Sequence, residues 1–150
     1  MPKYEGTNTG RACDLLVIDD DAAQVDLFRH ILVKLGLPHR CYHAAGGAQA
    51  LDFLHAKPPY EGVPRPDIIL LDLNMPGLDG REVLKRIKTD PDFKTIPVIV
   101  FSHSSSDSEI NAAYGERANA YVGKPEDIES NINLLRELDR FWLNIAQLPD

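Results

Sequence analysis

Two runs of consecutive apolar residues, Ile68 to Leu71 (IILL) and Val98 to Phe101 (VIVF), restrict the fold more than any other feature of this chain. Each is short for a buried helix and lacks the alternation of a strand that faces water on one side. Each therefore reads as a strand covered on both faces. Such strands belong to parallel sheets, whose connections must cross over through helices.

The rest of the chain supplies those connections. Leu15 to Ile18 is a first short apolar run, and Asp21 with Gln24 three residues on has the pattern of a capping box. Val25, Phe28, Leu32 and Leu35 follow at helical spacing until Gly36 and Pro38 stop the helix. His39 to Ala44 reads as a second strand, and Gly46 and Gly47 open a helix carrying Ala50, Leu51 and Leu54. Residues 57 to 66, KPPYEGVPRP, form an irregular loop. After the Asp67 to Asp72 strand, Val83, Leu84 and Ile87 mark a third helix, with Asp79 as a cap or turn residue. Pro97 to Ser102 is the fourth strand, and Asp107 to Arg117 a polar helix with Ile110, Ala113 and Tyr114 inward. Ala120 to Gly123 is the fifth strand, and one long helix runs from Ile128 to about Gln147. The expectation is an α/β fold: a doubly wound, five-stranded parallel sheet with helices on both faces.

At 150 residues, with apolar residues spread throughout, the chain fits one domain with a single core. The expected division is a flexible segment over 1–13 and one domain over 14–150. A net charge of -7 argues against a surface that binds nucleic acid. Cys13 and Cys41 have neither metal spacing nor a disulfide framework and read as structural thiols. No apolar run approaches the ~20 residues of a membrane span, and the N-terminus lacks a signal-peptide core. A cytoplasmic protein is the default expectation.

In open parallel sheets ligands sit beyond the carboxyl ends of the strands. Those ends carry Asp19, Asp20 and Asp21, then Asp72, then Ser102 and His103, then Lys124 and Pro125. Acids gathered at one edge repel one another unless a cation lies between them or some stay protonated. Oxygen donors without His or Cys favour Mg²⁺. With Lys124 as a further cation, Ser102 as a hydroxyl and Asp72 as a carboxylate nucleophile, the set suits a phosphoryl group held on Asp72. Singly, each residue has a plainer role: Asp21 as a helix cap, Asp72 as a turn residue, Lys124 as solvated surface. It is their joint position at one end of four different strands that argues for a site.

In VIDD (Val17 to Asp20), LLDLNMPGLDG (Leu70 to Gly80), VIVFS (Val98 to Ser102) and AYVGKP (Ala120 to Pro125), the chain resembles the receiver domain of two-component response regulators. The resemblance implies a flavodoxin-like strand order, 2-1-3-4-5. It implies that Asp72 accepts a phosphoryl group from a histidine kinase, so that the chain is a signalling domain rather than an enzyme with turnover. Asp20, Asp72 and the backbone carbonyl of Asn74 would bind Mg²⁺, with Asp19 acting largely through bridging water. Ser102 and Lys124 would hold the phosphoryl oxygens, Ser102 and Tyr121 would form the switch, and the Lys124 to Pro125 peptide would be cis. His103 departs from the family's usual small residue and is a candidate access gate.

With the chain ending at Asp150, no output domain is expected, and the signal is expected to pass through protein contacts. The stretch from Arg65 to Lys88, the proline-rich loop before it and FWLNIAQLP resemble the small receivers paired with bacterial phytochrome histidine kinases. Ile128, Ile132, Leu135 and Trp142 make one stripe of the last helix, and Leu134, Leu138, Phe141 and Ile145 a second. One stripe should cover the sheet. Leu134, Leu138, Phe141, Trp142 and Ile145 are then candidates for a homodimer or kinase interface. Two other readings stay open: a Mg²⁺-dependent phosphatase resembling the haloacid dehalogenases, for which Asp19 to Asp21 supply a DxD, and a receiver-like binding module that is never phosphorylated.

Overall fold

The five strand segments form one parallel sheet, in which their chain order is rearranged to second, first, third, fourth, fifth. The computed structural model describes residues 12–149. Residues 1–11 of the expected flexible segment, and Asp150, lie outside the described residues; Cys13 is buried at the edge of the core. The strands are β1 (Asp14–Ile18), β2 (Arg40–Ala44), β3 (Ile68–Leu71), β4 (Val98–Ser102) and β5 (Ala120–Gly123). Between them run α1 (Ala22–Lys34), α2 (Gly47–Leu54), α3 (Gly80–Thr89) and α4 (Asp107–Gly115), and α5 (Ile128–Glu137) follows β5.

Alternation along the strands divides the interior in two. Leu16, Ile18, Ile69, Leu71, Val98 and Val100 pack with α2 and α3, while Leu15, Val17, Ile68, Leu70, Ile99 and Phe101 pack with α1 and α5. Every residue of β3 and β4 is buried, as a sheet covered on both faces requires.

Tertiary contacts override several of the local patterns. Asp21 caps α1 by accepting from the Ala23 amide, but Gln24 closes no capping box; it reaches across to α5 and donates to Asn131 Oδ1 at 3.0 Å. Tyr114 points outward at 49% exposure, and its hydroxyl accepts from the Tyr121 amide. Lys124 to Pro125 is trans, and the cis peptide among the described residues is Pro58–Pro59.

The long last helix also changes character. After Glu137 the chain continues as a π-helical segment, Leu138–Ile145, with the Ala146 amide donating to the Phe141 carbonyl. In an α-helix Leu138 and Leu143 would lie roughly 140° apart. The wider turn lets both enter the core, at 4% and 1% exposure. The expected stripes are therefore broken: Leu138 is buried and unavailable to a partner, whereas Ile128 and Phe141 are exposed at 65% and 49%. His39 anchors this segment. Its Nδ1 accepts from the Cys13 amide at 3.1 Å, which leaves Nε2 to donate to Asp139 at 2.7 Å.

Candidate functional site

Strand register brings the strand-end residues together. Ile18 lies opposite Leu71, so the next residues, Asp19 and Asp72, emerge side by side at the same edge. On the other flank Ser102 lies opposite Gly123, and Lys124 follows, its amide donating to the Ser102 carbonyl at 2.8 Å. Asp79 caps α3 by accepting from the Arg81 amide. Gly80 lets α3 begin hard against the acid loop, because a Cβ there would meet the Leu73 Cα at 2.5 Å and the Asp72 carbonyl at 2.8 Å. Gly77, at φ +85°, takes the left-handed turn that returns the chain from Asp72 to that helix.

Asp19, Asp20 and Asp72 offer carboxylate oxygens that all lie within 4.8 Å of one another. Asp19 and Asp72 are buried and Asp20 is exposed, so the cluster has an inner wall and an open side. Lys124 Nζ bridges the two inner acids, at 2.8 Å from Asp19 and 3.3 Å from Asp72. The same ammonium lies 5.1 Å from the centroid of the Phe101 ring. Burial pushes the Asp19 carboxyl above its ordinary value, and the Lys124 hydrogen bond only partly offsets it. For Lys124, burial disfavours the ammonium, but the hydrogen bond to Asp19 and the charges of both acids overcome it and hold its pKa above that of a free lysine.

Both Asp72 oxygens are engaged: Oδ1 accepts from the Asn74 amide at 2.9 Å and Oδ2 faces Lys124. Ser102 is fully buried. Its hydroxyl accepts from Asn74 Nδ2 at 2.8 Å and from the Ser104 amide at 3.3 Å. The Tyr121 hydroxyl donates to the Ser104 carbonyl at 2.8 Å, so Tyr121 adjoins the site through the loop after β4 rather than by direct contact. His103 is exposed beside Ser102. Leu134, Leu138, Phe141 and Trp142 line an apolar cavity of about 180 Å³ that reaches Phe101, while Ile145 is half-buried outside that lining. A larger depression of about 580 Å³, lined by Asp52, His55, Arg86 and Phe93 among others, involves none of the acids.

The donor set fits a divalent cation: three carboxylates, oxygen only, one open to solvent, with a lysine already compensating the inner pair. Asp21 is committed to capping α1, which tells against the phosphatase reading, where it would be the second acid of a DxD. Two contacts were not legible in the sequence. The Asn74 side chain holds the Ser102 hydroxyl, where only the Asn74 backbone was expected to act. His43 of β2 donates from Nε2 to the Asp19 carbonyl at 2.7 Å. Nothing in the sequence separates His43 from an ordinary strand residue.

Comparison with known proteins gives a consistent picture. The family model described as the response regulator receiver domain matches residues 15–136. The response regulator Rcp1 of Synechocystis sp. is 36% identical over 135 residues, 90% of this chain and 92% of that protein. The crystal structure of the phosphorylated cyanobacterial phytochrome response regulator RcpA superposes with a TM-score of 0.86 at 34% identity, covering 93% of this chain and 100% of that one. The Mn²⁺-bound form of Rcp1 superposes with a TM-score of 0.83 at 35% identity, covering 92% and 99%.

Proposed function

The chain belongs to the response regulator receiver family, and from that premise we propose that it accepts a phosphoryl group on Asp72 from a histidine kinase of the phytochrome type. The observation that carries this reading is the joint enclosure of Asp72 by Asp19, Asp20 and Lys124 at one sheet edge. In the transfer an Asp72 oxygen bonds to phosphorus as the bond from phosphorus to the kinase's histidine nitrogen breaks. The imidazole leaves with that electron pair. Asp20, Asp72 and the Asn74 carbonyl would hold Mg²⁺, with Asp19 behind them through water. When bound, the ion supplies positive charge against the three carboxylates and the incoming phosphoryl oxygens.

The remaining steps belong to the protein's own groups. Lys124, freed from sharing two carboxylates, turns part of its charge to the phosphoryl oxygens. Phosphorylation replaces the one negative charge of Asp72 with about two, and the phosphoryl oxygens accept the Ser102 hydroxyl proton, which neither Asn74 nor Ser104 engages. When Ser102 moves, the loop carrying Ser104 moves with it and takes along the acceptor of the Tyr121 hydroxyl. Ser102 and Tyr121 thus act as the switch, and protein contacts in the cytoplasm carry the output.

Incubation with acetyl phosphate and Mg²⁺, read by intact mass, tests the chemistry. Wild type gains one phosphoryl group and Asp72→Asn gains none; equal labelling of both refutes the assignment. The phytochrome pairing is supported by the likeness to RcpA, and faster transfer from a phytochrome kinase than from an unrelated histidine kinase is its check. His103 serves as the access gate, so His103→Ala changes the phosphoryl lifetime, and an unchanged lifetime removes that role. The exposed Phe141 ring, edge-on to Trp142 at 5.6 Å, forms with Ile145 and the half-buried Leu134 the surface we assign to a homodimer. Sedimentation of Phe141→Ala against wild type tests it; identical masses at high concentration count against it.

A further inference from the structure

Asp19 has no idle polar atom. Its amide donates to the Ala44 carbonyl at 3.1 Å. One carboxylate oxygen accepts from the Asp21 amide at 2.9 Å and the other from Lys124 at 2.8 Å. Its backbone carbonyl accepts from His43 Nε2 at 2.7 Å. Because a carbonyl can only accept, Nε2 carries the proton, and the tautomer of His43 is fixed by this contact.

That carbonyl belongs to the peptide linking Asp19 to Asp20. A peptide is planar, so holding its oxygen orients the whole unit, out to the Asp20 Cα from which the Asp20 side chain departs. Asp20 itself is exposed, and packing does little to aim it. β2 therefore grips the acid turn from both sides of Asp19, through the Ala44 carbonyl and the His43 ring, and the second grip falls on the peptide that leads into the one solvent-facing acid of the cluster.

We propose that His43 is a positioning residue for divalent-cation binding: it orients the Asp19–Asp20 peptide so that the Asp20 carboxylate converges on Asp72. The inference rests on the reading of Asp20 and Asp72 as cation ligands. Hydrogen bonds made directly to a ligand change an ion's affinity by about 10- to 100-fold when removed, and a bond to the peptide that carries the ligand acts at the low end of that range.

The test is Mg²⁺ titration by calorimetry on wild type, His43→Phe, His43→Met and His43→Gln, with Asp20→Asn as the control for the cluster. Gln carries an N–H at about the reach of histidine Nε2, whereas Phe and Met fill space and donate nothing. The expected result is about 10-fold or greater weakening in His43→Phe and His43→Met, with His43→Gln within about twofold of wild type. Should the Phe variant fail to fold, the comparison of Met with Gln carries the test. Equal Mg²⁺ affinity in wild type and the donor-free variants overturns the role of His43 while leaving the cluster intact. Equal weakening in Gln and Met reduces His43 to a packing residue and also overturns the proposal. Absence of Mg²⁺ binding in wild type, or full binding in Asp20→Asn, overturns the cluster reading and the inference with it.

Discussion

Replacing Asp72 with asparagine keeps the shape of the side chain and removes its charge, and the geometry fixes what should follow. Asp19 and Asp72 offer oxygens within 4.8 Å of one another, a repulsion of about 3.5 kcal/mol at an effective dielectric constant of roughly 20. The 3.3 Å contact with Lys124 opposes it with about 5 kcal/mol on the same scale. These nearly cancel, so the sign is decided by the cost of taking the Asp72 charge out of water. At 3% exposure that cost is several kcal/mol for an ion. In the absence of Mg²⁺, Asp72→Asn is therefore expected to be more stable than wild type by about 1–3 kcal/mol, with a Tm higher by roughly 2–4 °C for each kcal/mol. Mg²⁺ reverses the comparison: at a hundredfold excess over its Kd it stabilises wild type by about 2.7 kcal/mol, and the variant, short of one ligand, by much less. Thermal unfolding of both proteins with and without Mg²⁺ measures this. A variant that melts below wild type without the ion, or gains as much from it, would show that Asp72 is not held at an electrostatic cost for the sake of a cation.

Lys124→Met leaves Asp19 and Asp72 buried without their cation. It is expected to destabilise the protein by about 3–5 kcal/mol, with part of the loss recovered on adding Mg²⁺; an unchanged urea midpoint would refute the role of the bridge. Burial raises the Asp19 pKa above 3.8 in the folded protein, so the native state holds that proton more tightly than the unfolded chain. Its contribution is full below about pH 3.8 and is lost as pH rises through the folded value. Unfolding free energies of wild type and Asp19→Asn across that range should differ by this slope, and parallel curves would contradict it. Burial likewise pushes the Cys41 thiol up to about 11, and Cys13 is buried. Both thiols should react slowly with a thiol reagent at pH 8 in the native protein and fast in urea; rapid native labelling of Cys41, which is half-buried, would refute its raised pKa.

The order of strands and helices was legible because two buried apolar runs and their helical connectors allow few other arrangements. The strand-end acids, Ser102 and Lys124 were legible for the same reason: a parallel sheet presents its carboxyl ends together, whatever the helices do. Contacts between residues far apart in the chain were hidden. Gln24 reads as a local capping residue but bonds to Asn131, 107 positions away; His43 reads as a strand residue but holds Asp19. The last helix shows the limit most clearly. Its 3.6-residue stripes assign Leu138 to an exposed face, but burying Leu138 and Leu143 together requires a wider turn. Periodicity in sequence reports the geometry an isolated helix prefers. Which side chains meet, and what geometry the backbone adopts so that they can, was decided only when the sheet supplied the surface against which they pack.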